Sequence, residues 1–466
     1  MAPDQPAEED LLVFAGGVEG SPSDGSSSQS SGVIFTTALD YESPEFGSEN
    51  RDRYEYWGPT REISEAALVS LLQKHSSAIH GRALCGEWTL LTRKSGTYSS
   101  AYILEAGHGT KVVVRVPASG WRMRWNKIDA ETLRTTAQTM RLIGERTSIP
   151  LPQTLAWDDS MENEIGAPYT LITHPEGINA CRTWHSDKGP TPKETRRQNL
   201  LRTLAQAVSE LRVLRFSKGG NLWFEGERED VPVVVDRWAL RADGWIILRA
   251  FKRIRAYRSV KEKLKEDVRR QMIKKGHPAT PETRGIAVVF KLMMKAFVEA
   301  TELPPSTPAF VLVHPDFDIQ NLLTDEAGTS PASSTGMALA GDWYPHFQFP
   351  PAPGMYKAKG GPEDLDKYRK DYAKYLHEAS DGAFETCFTT KSHIYRALLS
   401  SSMKGWTASQ FVYNVLADIM DEQQRQAFAT AIGERGFVEG EEEALRDVLL
   451  QYFAPVSPTE FADGHG

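Results

Sequence analysis

The chain has 466 residues, of which 40% are hydrophobic and 25% are charged. This length allows two or three domains, and the hydrophobic share is ordinary for a globular protein with a packed core. Lys and Arg number 54 against 62 Asp and Glu, a formal charge of -8, which argues against a dedicated nucleic-acid-binding protein. No apolar run approaches the roughly 20 residues that cross a bilayer, so we expect a cytoplasmic protein without membrane contact.

The first part of the chain is polar and rich in Ser and Gly. Segments of this composition cannot bury a core, so residues 1–55 are predicted to form a disordered tail. Order is predicted to begin with a helix capped by Ser64. Further along, alternation and apolar spacing predict strands at 88–92, 100–105, 111–116, 153–158 and 169–174, with a helix at 130–146.

After residue 177 the apolar spacing becomes helical. A sheet-rich segment followed by a helical one is typical of an α+β fold with two lobes. We expect an N-terminal lobe at 56–176, a larger C-terminal lobe at 177–456 and a tail at 457–466. The C-terminal lobe contains a predicted strand at 311–313 and predicted helices around 200–211, 288–300, 363–378, 390–402, 408–419 and 440–453.

Three polar residues after the predicted strand at 311–313 have the spacing of a kinase catalytic loop. Asp316 follows His314 by two residues, and Asn321 follows Asp316 by five. Such a loop can direct a carboxylate at an acceptor hydroxyl while the Asn amide faces Mg²⁺. Residues 322–325 and 337–342 are predicted to pair as a hairpin that ends at a second metal-binding carboxylate, Asp342. Alternatively, Asp316 only caps a turn.

Residues 311–325, followed by Gly341, Asp342 and Trp343, resemble the aminoglycoside phosphotransferase and choline kinase-like superfamily, especially its fungal branch. The resemblance covers roughly residues 62–400. It implies a bilobal, protein kinase-like fold with a small β-rich N-terminal lobe and a larger, mainly helical C-terminal lobe. It also implies an enzyme that uses ATP and Mg²⁺ to transfer the γ-phosphoryl group to a hydroxyl of a small-molecule acceptor.

The same resemblance implies roles for individual residues. Asp316 would orient the acceptor hydroxyl, His314 would support the loop, and Asn321 and Asp342 would hold Mg²⁺. The turn between the first two strands would cover the ATP phosphates, although an ordinary hairpin turn is the alternative. The turn residues and the strand cation that would bind the nucleotide are Ser95, Gly96, Thr97, Tyr98 and Arg115.

Two departures from the family pattern bear on activity. Arg115 stands where relatives place a phosphate-binding Lys. Arg keeps the positive charge and can bind a phosphate with two hydrogen bonds. Alternatively, the side chain of Arg115 faces solvent. Alignment with the family puts Thr136 at the position of the helix Glu that normally pairs with that cation. Either this alignment slips, or Arg115 has another partner such as an ATP phosphate. A catalytically weakened, kinase-like binding protein is therefore the alternative hypothesis. A protein kinase is less favoured because no Ala-Pro-Glu segment follows Asp342.

A basic stretch lies between residues 245 and 277. We interpret it as a solvated helix, because Ile254, Tyr257 and Val260 supply an apolar face. An anion-binding surface is the alternative. Aromatic residues do not alternate with the charges, so a nucleic-acid partner is not expected.

Overall fold

The computed structural model describes the chain from residue 58 to residue 456, with gaps. The predicted tails lie outside the described residues. Backbone contacts divide the chain into one unit of Met1–Leu142, Pro152–Pro175 and Trp223–Arg255 and a second of Ile143–Leu151, Glu176–Leu222 and Ala256–Gly466. The lobe bounds given above stay a prediction. The described residues are 58–79, 87–96, 99–224, 233–235, 237–240, 251–254, 256–259, 262, 280–301, 310–313, 319–329, 332–333, 339–342, 362–403, 407–421 and 423–456.

A five-stranded sheet forms the centre of the first unit. Ser64 begins the first helix by accepting a hydrogen bond from the backbone N–H of Ala67. The elements up to the end of the sheet are α1 Glu65–Lys74, β1 Trp88–Ser95, β2 Ser99–Ala106, β3 Lys111–Pro117, α2 Lys127–Arg146, β4 Thr154–Asp158 and β5 Tyr169–Thr173. The strands lie in the order β1-β2-β3-β5-β4, and each neighbouring pair is antiparallel.

The two faces of this sheet pack against different helices. Successive side chains of a strand point to opposite faces, and β3 shows this in its valines. Val112, Val114 and Val116 join the apolar cluster that includes α1. Val113 joins a second cluster with Met140 of α2. The sheet is therefore covered by α1 on one face and by α2 on the other.

In the remaining elements, helices contain more residues than strands do. The strands that lie between residues 224 and 255 belong to the first unit, and the other elements, apart from Trp223, belong to the second. In chain order they are β6 Ile178–Asn179, α3 Ala180–His185, α4 Lys193–Glu210, β7 Arg215–Phe216, β8 Gly220–Trp223, β9 Val233–Val235, β10 Arg237–Leu240, β11 Phe251–Ile254, α5 Pro281–Ala300, β12 Phe310–Val313, β13 Leu322–Thr324, β14 Ala332–Ser333, β15 Leu339–Asp342, α6 Pro362–Ala379, α7 Ser392–Met403, α8 Thr407–Ile419, α9 Arg425–Arg435 and α10 Glu441–Phe453.

Strand pairing in the second unit differs from the predicted hairpin. β12 pairs antiparallel with β15 along its whole length, and Phe310 stands opposite Asp342. β13 pairs with β14 on one side and with β6 on the other. The predicted hairpin between residues 322–325 and 337–342 is therefore wrong in its pairing. Each of these strands is at most four residues long, and contacts distant in sequence decide the register of such short strands.

The largest apolar cluster of the second unit surrounds α5 and includes side chains from α7, α8, α9 and α10. At the crossing of α5 and α9, each helix presents a glycine to the backbone of the other. A Cβ on Gly285 would lie 1.6 Å from the carbonyl oxygen of Ala429, and a Cβ on Gly433 would lie 1.6 Å from that of Pro281. Only glycine permits this close approach.

Most predicted elements are confirmed, with shifted ends. The predicted helix at 288–300, for example, begins earlier, at Pro281. Besides the hairpin, two further predictions were incomplete or wrong. The helix Arg425–Arg435 was not predicted, and Phe251–Ile254, inside the predicted basic helix, is a strand paired with Arg237–Leu240. None of the helices in the described part of the chain is long and apolar enough to cross a membrane.

Candidate active site

Asn321 lies where the predicted catalytic loop joins β13. It ends a short 3₁₀ helix, Ile319–Asn321, and is only 3% exposed. Its neighbours Ile319 and Leu322 are buried in an apolar cluster with Tyr368 and Tyr372 of α6. This packing fixes the position of Asn321, whose amide oxygen is a ligand type that Mg²⁺ accepts.

Asp342 is the last residue of β15. Because β12 and β15 are antiparallel, Asp342 stands opposite Phe310, the first residue of β12. The predicted catalytic loop leaves the other end of β12, after Val313. The strand pairing thus does not by itself bring Asp342 beside Asn321, and its role as a metal ligand stays a prediction.

Arg115 lies on the face of the first sheet that is covered by α2. It is two residues from Val113 on β3, so both side chains point to the same face. Arg115 is half-buried as a whole residue, and burial of its guanidinium lowers the pKa of Arg115. Its Nη2 donates a hydrogen bond to Oγ of Ser99, at 3.2 Å. The predicted alternative of a solvent-facing Arg does not fit this environment.

The turn between β1 and β2 lies next to Arg115, because Ser99 is the first residue after it. Ser95 and Ser100 stand opposite each other, with their hydroxyl oxygens 3.1 Å apart. The backbone N–H of Gly96 donates to the carbonyl of Ser99, at 2.9 Å. Among the described residues, a Cβ on Gly96 would meet that same carbonyl oxygen at 3.7 Å, an ordinary van der Waals contact.

Thr136 belongs to α2 and precedes Met140 by four residues, so both point to the same side of the helix. Its Oγ1 donates to the backbone carbonyl of Thr132, at 2.8 Å. The hydroxyl thus bonds within its own helix, and it offers no carboxylate to a cation. The correspondence of Thr136 to the helix Glu of the family pattern stays a prediction.

The described residues contain only part of the predicted site. Of the predicted nucleotide-binding residues, Ser95, Gly96 and Arg115 come together in the first unit. Ser99 ends the predicted turn but was not assigned to the nucleotide, and its hydrogen bond to Arg115 appears only in the structure. Asn321 and Asp342 are described above, and four predicted site residues lie outside the described part of the chain: Thr97, Tyr98, His314 and Asp316.

A sequence model described as "Phosphotransferase enzyme family" matches residues 89–332, more than half of the chain. The match confirms the resemblance inferred from the catalytic-loop spacing. The family is one of kinase-like phosphotransferases, and the α+β, protein kinase-like fold class agrees with the sheet-rich and helical units described above. The chain belongs to the phosphotransferase enzyme family.

Two fungal relatives match shorter parts of the chain. "Altered inheritance of mitochondria protein 9, mitochondrial" of Candida tropicalis is 24% identical over 29% of this chain and 21% of its own length. A subtelomeric hrmA-associated cluster protein of Aspergillus fumigatus is 25% identical over 30% of this chain and 26% of its own length. The chain thus matches about a quarter or less of the length of these curated relatives.

Solved structures also align with the chain, at low identity. A protein of Ralstonia eutropha described as a candidate aminoglycoside phosphotransferase has a TM-score of 0.45 and 11% identity over 84% of this chain and 98% of its own. A macrolide 2'-phosphotransferase of Brachybacterium faecium scores 0.38, with 12% identity over 80% and 98%. Choline kinase of Cryptosporidium parvum scores 0.35, with 9% identity over 84% and 95%.

Proposed function

We propose that this protein transfers the γ-phosphoryl group of ATP, with Mg²⁺, to a hydroxyl of a small molecule. The observation that carries the proposal is the contact between Arg115 and Ser99 beside the β1–β2 turn, in a chain that belongs to a phosphotransferase family. A guanidinium suits the charge and shape of a phosphate chain. The sequence has no Ala-Pro-Glu segment after Asp342, which favours a small-molecule acceptor over a protein.

Each predicted residue has a task in this reaction. Arg115 and the turn would bind the ATP phosphates, while Asn321 and Asp342 would hold Mg²⁺. The metal ion, when bound, neutralises charge on the phosphates. Asp316 would orient the acceptor hydroxyl and accept its proton, and His314 would support the loop. Catalysis by such a site rests mainly on positioning and on charge stabilisation.

The nucleotide part of the proposal is tested by Arg115→Met. At about a hundred times its dissociation constant, Mg-ATP should stabilise the chain by about 2.7 kcal/mol. We expect a clear rise in melting temperature for the unaltered chain and for Arg146→Met, which removes an exposed arginine of α2. Arg115→Met should lose most of the rise. An equal rise in all three proteins would remove Arg115 from the nucleotide site.

The transfer part is tested by Asp316→Asn. Transfer from labelled ATP should be measured across a panel of hydroxyl-bearing antibiotics, sugars and amino alcohols. The variant should keep the melting shift with Mg-ATP and lose transfer, while Asp187→Asn, at an exposed residue paired with Lys193, should keep both. Transfer by Asp316→Asn at the unaltered rate would refute the role of Asp316.

A binding protein without efficient transfer is the second candidate. It is favoured by Thr136, whose hydroxyl bonds to its own helix where a carboxylate would pair with the cation. The same two assays separate the candidates. Mg-ATP binding that depends on Arg115, with no transfer to any acceptor of the panel, would favour the binding protein.

A further inference from the structure

Arg196 of α4 is a buried cation, only 3% exposed. Each hydrogen bond that it donates within the described part of the chain goes to a backbone carbonyl. Its Nε donates to the carbonyl of Thr183, at 3.3 Å, and its Nη2 donates to that of Ser186. Its Nη1 donates to the carbonyls of Lys188 and Thr191, at 3.0 and 2.7 Å. Because a buried guanidinium is costly unless its N–H groups are bonded, Arg196 holds the end of α3 and the segment after it against α4.

Thr183, whose carbonyl is bonded to Arg196, also contacts β13. Its hydroxyl oxygen lies 2.9 Å from that of Thr324, the last residue of β13. The two residues are 6% and 1% exposed, so this pair of hydroxyls is shielded from water. The strand β6, which directly precedes α3, pairs with β13 and places Asn179 opposite Leu323. Side chain and backbone together therefore hold the end of β13 beside α3.

The turn that follows β13 is held by α4. Nδ2 of Asn199 donates to the carbonyl of Ala327, at 2.8 Å. Gly328 has a φ of 81°, and a Cβ on it would lie 2.4 Å from the carbonyl oxygen of Arg196. Glycine permits both this φ and this close approach to the helix. The contacts of Thr183 and of Asn199 thus hold β13 at its last residue and in the turn beyond it.

Asn321 immediately precedes β13, so its position depends on that strand. Its neighbours Ile319 and Leu322 lie in the apolar cluster that includes Trp184 of α3 and Leu200 of α4. Removing one hydroxyl of the Thr183–Thr324 pair would leave the other buried without that partner, which is costly. The strand can relieve this cost by shifting, and a shift of β13 moves Asn321.

We propose that Arg196, Thr183 and Asn199 are positioning residues that act through β13 and hold the amide of Asn321 for Mg²⁺. The inference rests on the proposed function, in which Asn321 is a metal ligand. Mg²⁺ requires near-ideal octahedral geometry, with ligands at about 2.0–2.1 Å. A small displacement of one ligand therefore weakens binding of the metal more than binding of the nucleotide itself.

Equilibrium dialysis of the whole chain with labelled ATP tests the inference. Bound ATP is measured as the Mg²⁺ concentration rises, and again in EDTA. Thr183→Val keeps the shape of the side chain and removes its hydroxyl. It should raise the Mg²⁺ concentration at half-maximal binding by about fivefold or more, because contacts that orient metal ligands commonly set the metal affinity by at least that much. ATP affinity in EDTA should stay unchanged.

Three further variants of these residues test the same path. Thr183→Ser keeps the hydroxyl and should bind Mg²⁺ like the unaltered chain. Asn199→Ala removes the donor to the carbonyl of Ala327 and should raise the Mg²⁺ requirement as Thr183→Val does. Arg196→Lys keeps the charge but loses the fork of donors that binds several carbonyls, and it should have the same effect.

Two matched variants control for general damage. Thr203→Val removes a hydroxyl of α4 that bonds within its own helix, to the carbonyls of Asn199 and Leu200. Tyr395→Phe removes a buried hydroxyl that donates to the carbonyl of Phe453, at 2.9 Å, and should lower the melting temperature. Both variants should keep the Mg²⁺ requirement of the unaltered chain.

The outcomes separate this inference from the proposed function. If ATP binding by the unaltered chain does not depend on Mg²⁺, the proposed function is refuted and the inference with it. If that binding depends on Mg²⁺ but Thr183→Val and Asn199→Ala need no more Mg²⁺ than the unaltered chain, only the inference is overturned. An equal rise in Tyr395→Phe also overturns it, because loss of stability alone would then explain the effect.

Discussion

The crossing of α5 and α9 predicts that two glycine-to-alanine changes in helices have opposite effects. Gly285→Ala at the crossing should destabilise the protein strongly. Gly144→Ala in α2 should stabilise it slightly, because a Cβ there has no neighbour within 4 Å. The two substitutions add the same methyl group to the same type of element. The difference in stability between the two variants therefore measures the packing at the crossing and not helix propensity.

The expected magnitude follows from the distances at the crossing. A Cβ on Gly285 would lie 1.6 Å from a backbone carbonyl oxygen of α9, where at least 3.0 Å is needed. The helices must therefore separate by more than 1 Å, and a gap of that size forfeits about half of the attraction between facing side chains. We expect a loss of about 3 kcal/mol or more. Gly144→Ala should gain about 0.5–1 kcal/mol.

Thermal and urea unfolding of the two variants and of Gly433→Ala provide the assay. One kcal/mol corresponds to about 2–4 °C in melting temperature for domains of 150–250 residues. Gly433→Ala should match Gly285→Ala, because its Cβ meets the carbonyl of Pro281 at the same distance. If Gly285→Ala melts within a degree of the unaltered chain, the close approach of these helices is refuted.

The remaining predictions concern single charged side chains. Burial and Arg369 lower the pKa of His393 from 6.5 to about 4. As the pH falls between these values the unfolded chain takes up a proton that the folded chain does not, so stability should fall by roughly 3 kcal/mol from pH 7 to pH 4. The free energy of unfolding of His393→Asn, measured in urea, should lack this fall between pH 7 and pH 4. An unchanged fall would contradict a buried, neutral imidazole. Nζ of Lys391 donates to the carbonyls of Tyr452 and Ala454 at the end of α10, at 2.7 Å each. Lys391→Met should therefore lower the free energy of unfolding by about 1–2 kcal/mol, as measured by thermal unfolding. A loss no larger than that caused by Lys291→Met, at an exposed lysine, would refute this cap.

The first sheet could be predicted from sequence because its signals are local. The valines of β3 and the glycine-containing turns beside it indicate strands without knowledge of any partner. The helix Arg425–Arg435 was missed because Gly433 is a poor helix former, and its role appears only at the crossing with α5. Phe251–Ile254 was misjudged because its basic residues fit a solvated helix equally well. Its pairing with Arg237–Leu240 is a contact distant in sequence.

The same distinction between local and distant contacts explains which parts of the sites could be predicted. The spacing of His314, Asp316 and Asn321 is local, so it indicates a kinase-like loop without any knowledge of the fold. The pairing of β15 with β12 depends on contacts that are distant in sequence. β13, the strand that was predicted to pair with β15, is too short and too apolar for its sequence to specify one neighbouring segment over another.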